Sequence, residues 1–306
     1  MLDERQRGWA LAAFGMLMVS TDSLFIRAAD FDAWTIAFVF GVASTISLSC
    51  VAAATAREQL VQVARRAPVP LALVAVLAST SQVAFTGAVN NTAVANVVVI
   101  VGAAPVLAAI FARIALRERT ERRVVVAIVA VIAGIGIVVS GSLGQPTLEG
   151  DLLAVLAIVL FSFSVIVWRR HPELDRAMAL AASSAVMAVV AFPLASLGDA
   201  PWRVFLAAGA MGLVFNPIGR MSYSTAPKYA PAGEVALFAP VETVAATAWA
   251  WIFFSERPSI RTVVGGVIVI AAVLYGTVGA RWSADARRRR AQLRSEVRSR
   301  PRAPAE

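Results

Sequence analysis

The sequence predicts an all-α membrane protein of ten transmembrane helices arranged as two inverted five-helix repeats, and three observations predict it. The 306 residues are 59% apolar and only 15% charged, with a mean hydropathy of +0.74, too hydrophobic for a water-soluble globule of that length. Apolar runs of about 18 to 24 residues recur ten times, the length that crosses a hydrocarbon core at about 1.5 Å per residue. The chain also repeats itself. TAVANVVVIVGAAPVLAAIFARIALRERTERRVVVAIVAVIAGIGIVVSG over 92–141 is answered 138 residues later by APAGEVALFAPVETVAATAWAWIFFSERPSIRTVVGGVIVIAAVLYGTVG over 230–279. That shift lays Glu118 on Glu256 and Arg119 on Arg257, each at a hinge between two apolar stretches. In a membrane protein such a duplication usually marks a transporter with its site at the repeat interface.

The runs fall at 9–28, 33–54, 69–89, 92–112 and 123–141, then at 151–168, 177–197, 202–223, 231–254 and 260–280. The first follows MLDERQR and has no small-x-small cleavage site before Asp30, so it reads as a helix and not as a removable signal peptide. The second holds Cys50, the only cysteine, which excludes a disulfide framework. The third carries the polar patch Ser79, Thr80, Ser81, Gln82, and the fourth contains Pro105 and leads to Glu118. In the fifth and tenth, Ala130 with Gly134 and Ala272 with Gly276 have the small-residue spacing of close helix packing. The sixth and seventh are plain apolar spans flanking the loop WRRHPELDR, which holds the single histidine, His171. The eighth carries Asn216, Pro217, Arg220 and Ser222 to Ser224, and the ninth carries Glu234, Pro240 and Glu242. Continuous runs rich in Ala, Leu and Val argue for helices, since barrel strands alternate over about ten residues.

Orientation follows from the basic residues, which stay on the cytoplasmic side. With the N-terminus inside, 24 of the 28 Lys and Arg fall on inside segments, leaving Arg27, Arg203, Arg257 and Arg261 outside. Both termini are then cytoplasmic, and because five is odd the second repeat sits upside down relative to the first. The expected organisation is a cytoplasmic N-terminus at 1–8, one repeat at 9–141, the second at 151–280 and a basic disordered tail at 281–306. A net charge of +9 is mostly cytoplasmic loop and tail, so nucleic acid is not an expected partner. The cluster Arg287 to Arg290 reads either as a topology signal or as a contact with anionic lipid.

At this level of detail the chain resembles the EamA family of the drug/metabolite transporter superfamily, over about residues 9–280. The resemblance is carried by the apolar run with Pro105 that leads to Glu118 and Arg119, by VETVAATAWAWIFFSER from Val241 to Arg257, and by the apolar-Gly pattern after each. It implies ten helices in two inverted repeats and secondary transport of small metabolites, in many members export of amino acids or related compounds, across the bacterial inner membrane. The expected partners are the small-molecule metabolite, the lipid bilayer and a second copy of the chain in a homodimer, and no cofactor is implied. Family members usually show Glu-Pro where this chain has Glu242 and Thr243; a proline falls one turn earlier, at Pro240, which displaces any kink in the ninth helix.

Ionisable groups at membrane depth are costly, about 2.5 to 3.5 kcal/mol on insertion scales, and are therefore the candidate site residues. Glu242, expected near the middle of the ninth helix, is the foremost. A carboxyl in a low-dielectric cavity has its charged form penalised, the condition for loading and releasing a proton. The competing reading is a carboxyl bonded to a neighbouring helix for packing alone. Trp249, seven residues on, shares nearly the same face and would give Glu242 an aromatic wall. Asp22 lies among Ser20, Thr21 and Ser23, either as a second proton site or as part of an acidic outer end with Asp30 and Asp32. Arg220 aligns with Gln82 under the 138-residue shift, within the two polar patches, so Gln82, Asn216 and Arg220 should meet across the pseudo-twofold axis. The guanidinium would then bind a substrate carboxylate, pair with Glu234 or Glu242, or snorkel to the cytoplasmic face. Glu118 and Glu256 read as loop-ordering groups paired with Arg119, Arg122 or Arg257. Pro105, Pro217 and Pro240 each free a backbone carbonyl, offering an acceptor to a ligand or a bend for gating.

A membrane-embedded enzyme is the rival class, but the chain has no HExxH, GxSxG, paired-cysteine or Walker A motif. A channel or scaffold without alternating access is the alternative that hydropathy leaves standing.

Overall fold

The computed structural model describes residues 3–104, 106, 107, 111, 122–141, 145–171, 174–230, 235 and 238–275. Pro105, Glu118, Arg119, Glu234 and the basic tail lie outside them. Among the described residues the chain is helical, without strands. In order the helices are α1 (Glu4–Ala29), α2 (Ala33–Arg66), α3 (Pro68–Asn91), α4 (Val94–Val101), α5 (Arg122–Ser140), α6 (Leu148–Arg170), α7 (Arg176–Ala191), α8 (Trp202–Ala210), α9 (Asn216–Thr225), α10 (Ala239–Phe254) and α11 (Ile260–Tyr275). Six helical segments are long and apolar enough to cross a membrane: α1, Ala33–Ala54 of α2, α3, Leu148–Trp168 of α6, Arg176–Leu194 and Trp202–Thr225. Val125–Ser140, α10 and α11 are shorter apolar helices. This is a multi-pass membrane protein.

Three departures from continuous spans fall at identifiable residues. The span Trp202–Thr225 carries a π-helical stretch, Met211–Phe215, between α8 and α9. Pro217 follows it. A proline cannot donate to the carbonyl four residues back, and that carbonyl, Leu213, instead accepts 2.8 Å from Ser47 Oγ of α2. The freed acceptor is therefore used in packing and is not offered to a ligand. The ninth run does not form one helix over 231–254. Helix α10 starts at Ala239 with Pro240 in its first turn, where a missing N–H costs nothing. Glu242 consequently sits in a first turn and not at mid-helix. The fourth run breaks too, in a turn at Gly102 and Ala103 just after α4. Under the 138-residue shift these breaks fall at neighbouring positions.

The packing carries the repeat into three dimensions. Gly8, near the start of α1, lies against Ala230, and Gly150, near the start of α6, lies against Thr92. The shift maps Thr92 onto Ala230. Further along, Gly15 meets Gly219 and Tyr223, while Ser81 Oγ donates to the Ala157 carbonyl at 2.8 Å; these are mates as well, since Ser81 maps onto Gly219. So α1 packs on α9 as α6 packs on α3, while α2 with α7 and α4 with α10 form the self-paired contacts. Inversion follows from Thr92, which binds both Arg27 at the end of α1 and Asp151 in the first turn of α6. The end of one repeat's first helix therefore lies beside the beginning of the other's.

The core is built by fully buried Ile26, Ile36, Val97, Ile100, Ile158 and Met211, while Val69, Val189, Trp202, Ile252 and Val267 point outward. An apolar exterior of this extent suits lipid. Contacts as close as Gly15 on Gly219 require the absence of a side chain. A Cβ on Gly219 would stand 2.9 Å from the Gly15 carbonyl and from Met18 Cβ. Gly219→Val is expected to cost about 1–3 kcal/mol by overpacking, read as a lowered thermal unfolding midpoint in detergent, whereas Gly209→Ala, where nothing lies within 4 Å, should leave the midpoint unchanged.

Candidate functional site

Between the repeats lies a cavity of about 480 Å³. Its walls come from α1 (Met16, Val19, Asp22), α3 (Ser81, Gln82, Phe85), α4 and the turn after it (Val98, Gly102), α6 (Phe161, Trp168), the start of α7 (Arg176), α9 (Arg220, Tyr223) and α10 (Glu242, Thr243). The two broken helices cross at its edge. Thr243 Oγ1 donates to the Val98 carbonyl at 3.2 Å, beside Gly102, where a Cβ would stand 2.9 Å from that same hydroxyl. At the position where the family pattern has proline, the threonine thus ties α10 to α4.

Charge in the cavity is organised by one amide. Asn216, 2% exposed, donates through Nδ2 to Asp22 Oδ2 at 2.5 Å and accepts through Oδ1 from Arg220 Nε at 3.0 Å. An asparagine can serve both because its side chain holds a donor and an acceptor. Arg220 shares the cavity with both carboxyls, Asp22 and Glu242. Serving Asn216 with Nε leaves the guanidinium's two Nη groups for a ligand.

Five buried side-chain polar atoms find no hydrogen-bond partner among the described residues, and three of them belong to residues lining this cavity: Asp22 Oδ1, Gln82 Nε2 and Trp168 Nε1. Buried polar groups are otherwise almost always paired. One unmet acceptor and two unmet donors around one void are handles for a polar solute. Phe85, Phe161, Trp168 and Tyr223 supply aromatic surface beside them.

The site residues read from sequence divide accordingly. Asp22, Gln82, Arg220 and Glu242 line the cavity. Asn216 stands behind them as the bridge. Trp249 lies off the cavity: its indole N–H donates to Ser20 Oγ at 3.0 Å and its ring packs on Phe253. The aromatic wall beside Glu242 comes from other helices. Trp168 and Arg176 escaped sequence reasoning because they sit at helix ends next to loop arginines, where nothing in the pattern separates them from topology signals. Glu256 also has an unexpected partner. It binds Arg27 Nε at 2.6 Å and the Val94 backbone N–H at 3.1 Å, so it joins distant helices and does not order its own loop. His171 caps the end of α6.

Comparison with known proteins agrees with this architecture. The EamA-like transporter family matches twice, over residues 6–140 and 148–277. A solved structure titled "Crystal structure of protein" superimposes with a TM-score of 0.60 at 15% identity, covering 90% of this chain and 98% of that one, a likeness of fold alone. A search of curated proteins finds no match. With two family matches spanning most of its length and the paired packing of its halves, the chain belongs to the EamA-like transporter family.

Proposed function

We propose that this protein is a ten-helix secondary transporter, working by alternating access, that exports small organic metabolites of the amino-acid or related amine class across the inner membrane, with both termini in the cytoplasm and Glu242 and Asp22 as its proton-exchanging groups. The observation that carries this reading is the cavity itself, with unmet polar atoms on three of the residues that line it. A zwitterion suits it. The Nη groups of Arg220 and the amide of Gln82 match a carboxylate, Asp22 and Glu242 match an ammonium, and Phe85, Phe161 and Tyr223 match an apolar side chain. The volume of about 480 Å³ falls within the usual range for small-molecule sites. No step of this scheme makes or breaks a covalent bond in the solute, so the protein is read as a non-enzyme.

Proteoliposomes preloaded with unlabelled amino acid are expected to accumulate labelled amino acid transiently, with saturable uptake. Linear, non-saturating flux without counterflow would identify a channel, and no flux for any amine or amino acid would leave a scaffold. Orientation has its own test. A reporter fused after Arg261 should behave as extracytoplasmic and one after Arg123 as cytoplasmic; both on one side would end the inverted topology.

A further inference from the structure

Asp22 Oδ1 and Gln82 Nε2 both enter the zwitterion scheme above, but the third unmet atom of the cavity wall, Trp168 Nε1, does not. Its place along α6 is the reason. Ser81 Oγ donates to the Ala157 carbonyl, so Ala157 lies level with the polar patch that holds Gln82. Trp168 stands eleven residues farther along the same helix, about 16 Å at 1.5 Å per residue. Phe161 lies between the two, nearly on the face of Trp168, and both rings line the void. The cavity is therefore elongated, with the indole at the end where α1 begins.

A second donor reaches that end from another helix. Arg176, the first residue of α7, lines the cavity and donates through Nη1 to the Ser224 carbonyl at 3.3 Å. Ser224 lies one turn beyond Arg220 on α9, which sets Arg176 outward of the Arg220 level. That bond leaves Nε and Nη2 with donor capacity. Between the Gln82 and Arg220 donors and the Trp168 and Arg176 donors, the wall is largely apolar, with Phe161 and Leu180 among its residues. An indole has a donor and no acceptor, and a guanidinium has only donors and a positive charge, so this end suits an anionic oxygen. A solute that satisfies both ends carries two carboxylates joined by an apolar spacer.

We propose that Trp168 and Arg176 form a second carboxylate subsite, which selects α-amino dicarboxylic acids among the solutes of the cavity. The α-carboxylate and the ammonium take the set made by Arg220, Gln82, Asp22 and Glu242, and the side-chain carboxylate accepts from Trp168 Nε1 and Arg176. The subsite deepens the amino-acid reading above and rests on it. Trp168 Nε1 is buried and gains a partner that it lacks among the described residues. Arg176 is exposed, so water screens part of its attraction. Because the two donor sets lie apart along the cavity, the preference grows with the length of the spacer.

The test is equilibrium binding to the purified full chain in detergent, comparing each acid with its neutral, nearly isosteric side-chain amide. The pairs are aspartate with asparagine, glutamate with glutamine, and 2-aminoadipate with its side-chain amide. The acid is expected to bind more tightly, with the ratio rising along the series to roughly tenfold for 2-aminoadipate. Trp168→Phe and Arg176→Gln should each cut that ratio about threefold, and the double variant should bring it to about one. Ratios near one throughout the wild-type series would overturn the subsite. So would a preference that survives both substitutions or that is largest for aspartate, since the second carboxylate would then be held elsewhere. Each ratio is internal to one protein sample, and Arg176→Gln at its exposed position supplies it if Trp168→Phe fails to fold. The expected ratios in a protein without counterflow would keep the subsite and defeat the carrier reading. Counterflow of glutamine with ratios near one would keep the carrier and defeat the subsite, and no binding of any amino acid would defeat both.

Discussion

Glu242→Gln is expected to cut proteoliposome counterflow at least tenfold and to remove its dependence on pH, with thermal stability in detergent unchanged. The carboxyl lies in the cavity wall, in the first turn of α10, and shares that void with Arg220 and a second carboxyl, Asp22. Glutamine is nearly isosteric and permanently neutral, so it preserves packing while fixing one protonation state. If the ionised form holds the cavity hydrated and the protonated form lets it occlude, the variant loses exchange while keeping its fold. Transport that keeps its pH profile would move the role to Asp22. The Asp22→Asn and double variants then decide the matter: normal flux in all three would take protons out of the mechanism.

Arg220→Ala is expected to have the other large effect, a loss of tens-fold or more in apparent affinity for amino acids. Charge-assisted hydrogen bonds contribute roughly 1.5–3 kcal/mol each, and the guanidinium is the group with two Nη donors to offer a carboxylate. The discriminating comparison is with an amine of the same side chain that lacks the carboxylate. Its affinity should fall little, because Arg220 has nothing to bind in it. Arg220→Lys should fall between, keeping the charge but not the forked geometry. An equal loss for both solutes would mean that Arg220 acts only through Asn216, holding Asp22 in place, and Asn216→Leu would then reproduce it.

Much of the fold was legible because membrane helices carry strong, redundant signals. Run length, composition and basic-residue bias all report the same physical fact, the cost of polar backbone and charge in hydrocarbon. The duplication was legible at Glu118 and Glu256 because both halves keep one order of apolar run, acidic hinge and apolar run. Breaks within spans were less so. Pro240 could be seen, but whether it kinks a helix or starts one depends on whether the preceding residues stay helical in their packed setting. Likewise the carbonyl that Pro217 frees was predictable, and its capture by Ser47 was not.

What the sequence determined by itself was the membrane environment, the inverted repeat and the short set of intramembrane polar residues, Asp22, Gln82, Asn216, Arg220 and Glu242. The membrane environment and the polar set follow from local composition and spacing, which reach no farther than one helix and its flanks, and the repeat follows from matching the two halves at a shift of 138 residues. The tertiary structure alone decided which of them meet. Asn216 became the bridge between Asp22 and Arg220, Trp249 turned to Ser20 on α1, and Glu256 found Arg27 at a separation of 229 residues. Such contacts depend on helix rotation and crossing, set by how glycines such as Gly15 and Gly219 let backbones approach. That information is spread over the whole packed bundle and is carried by no single segment of it.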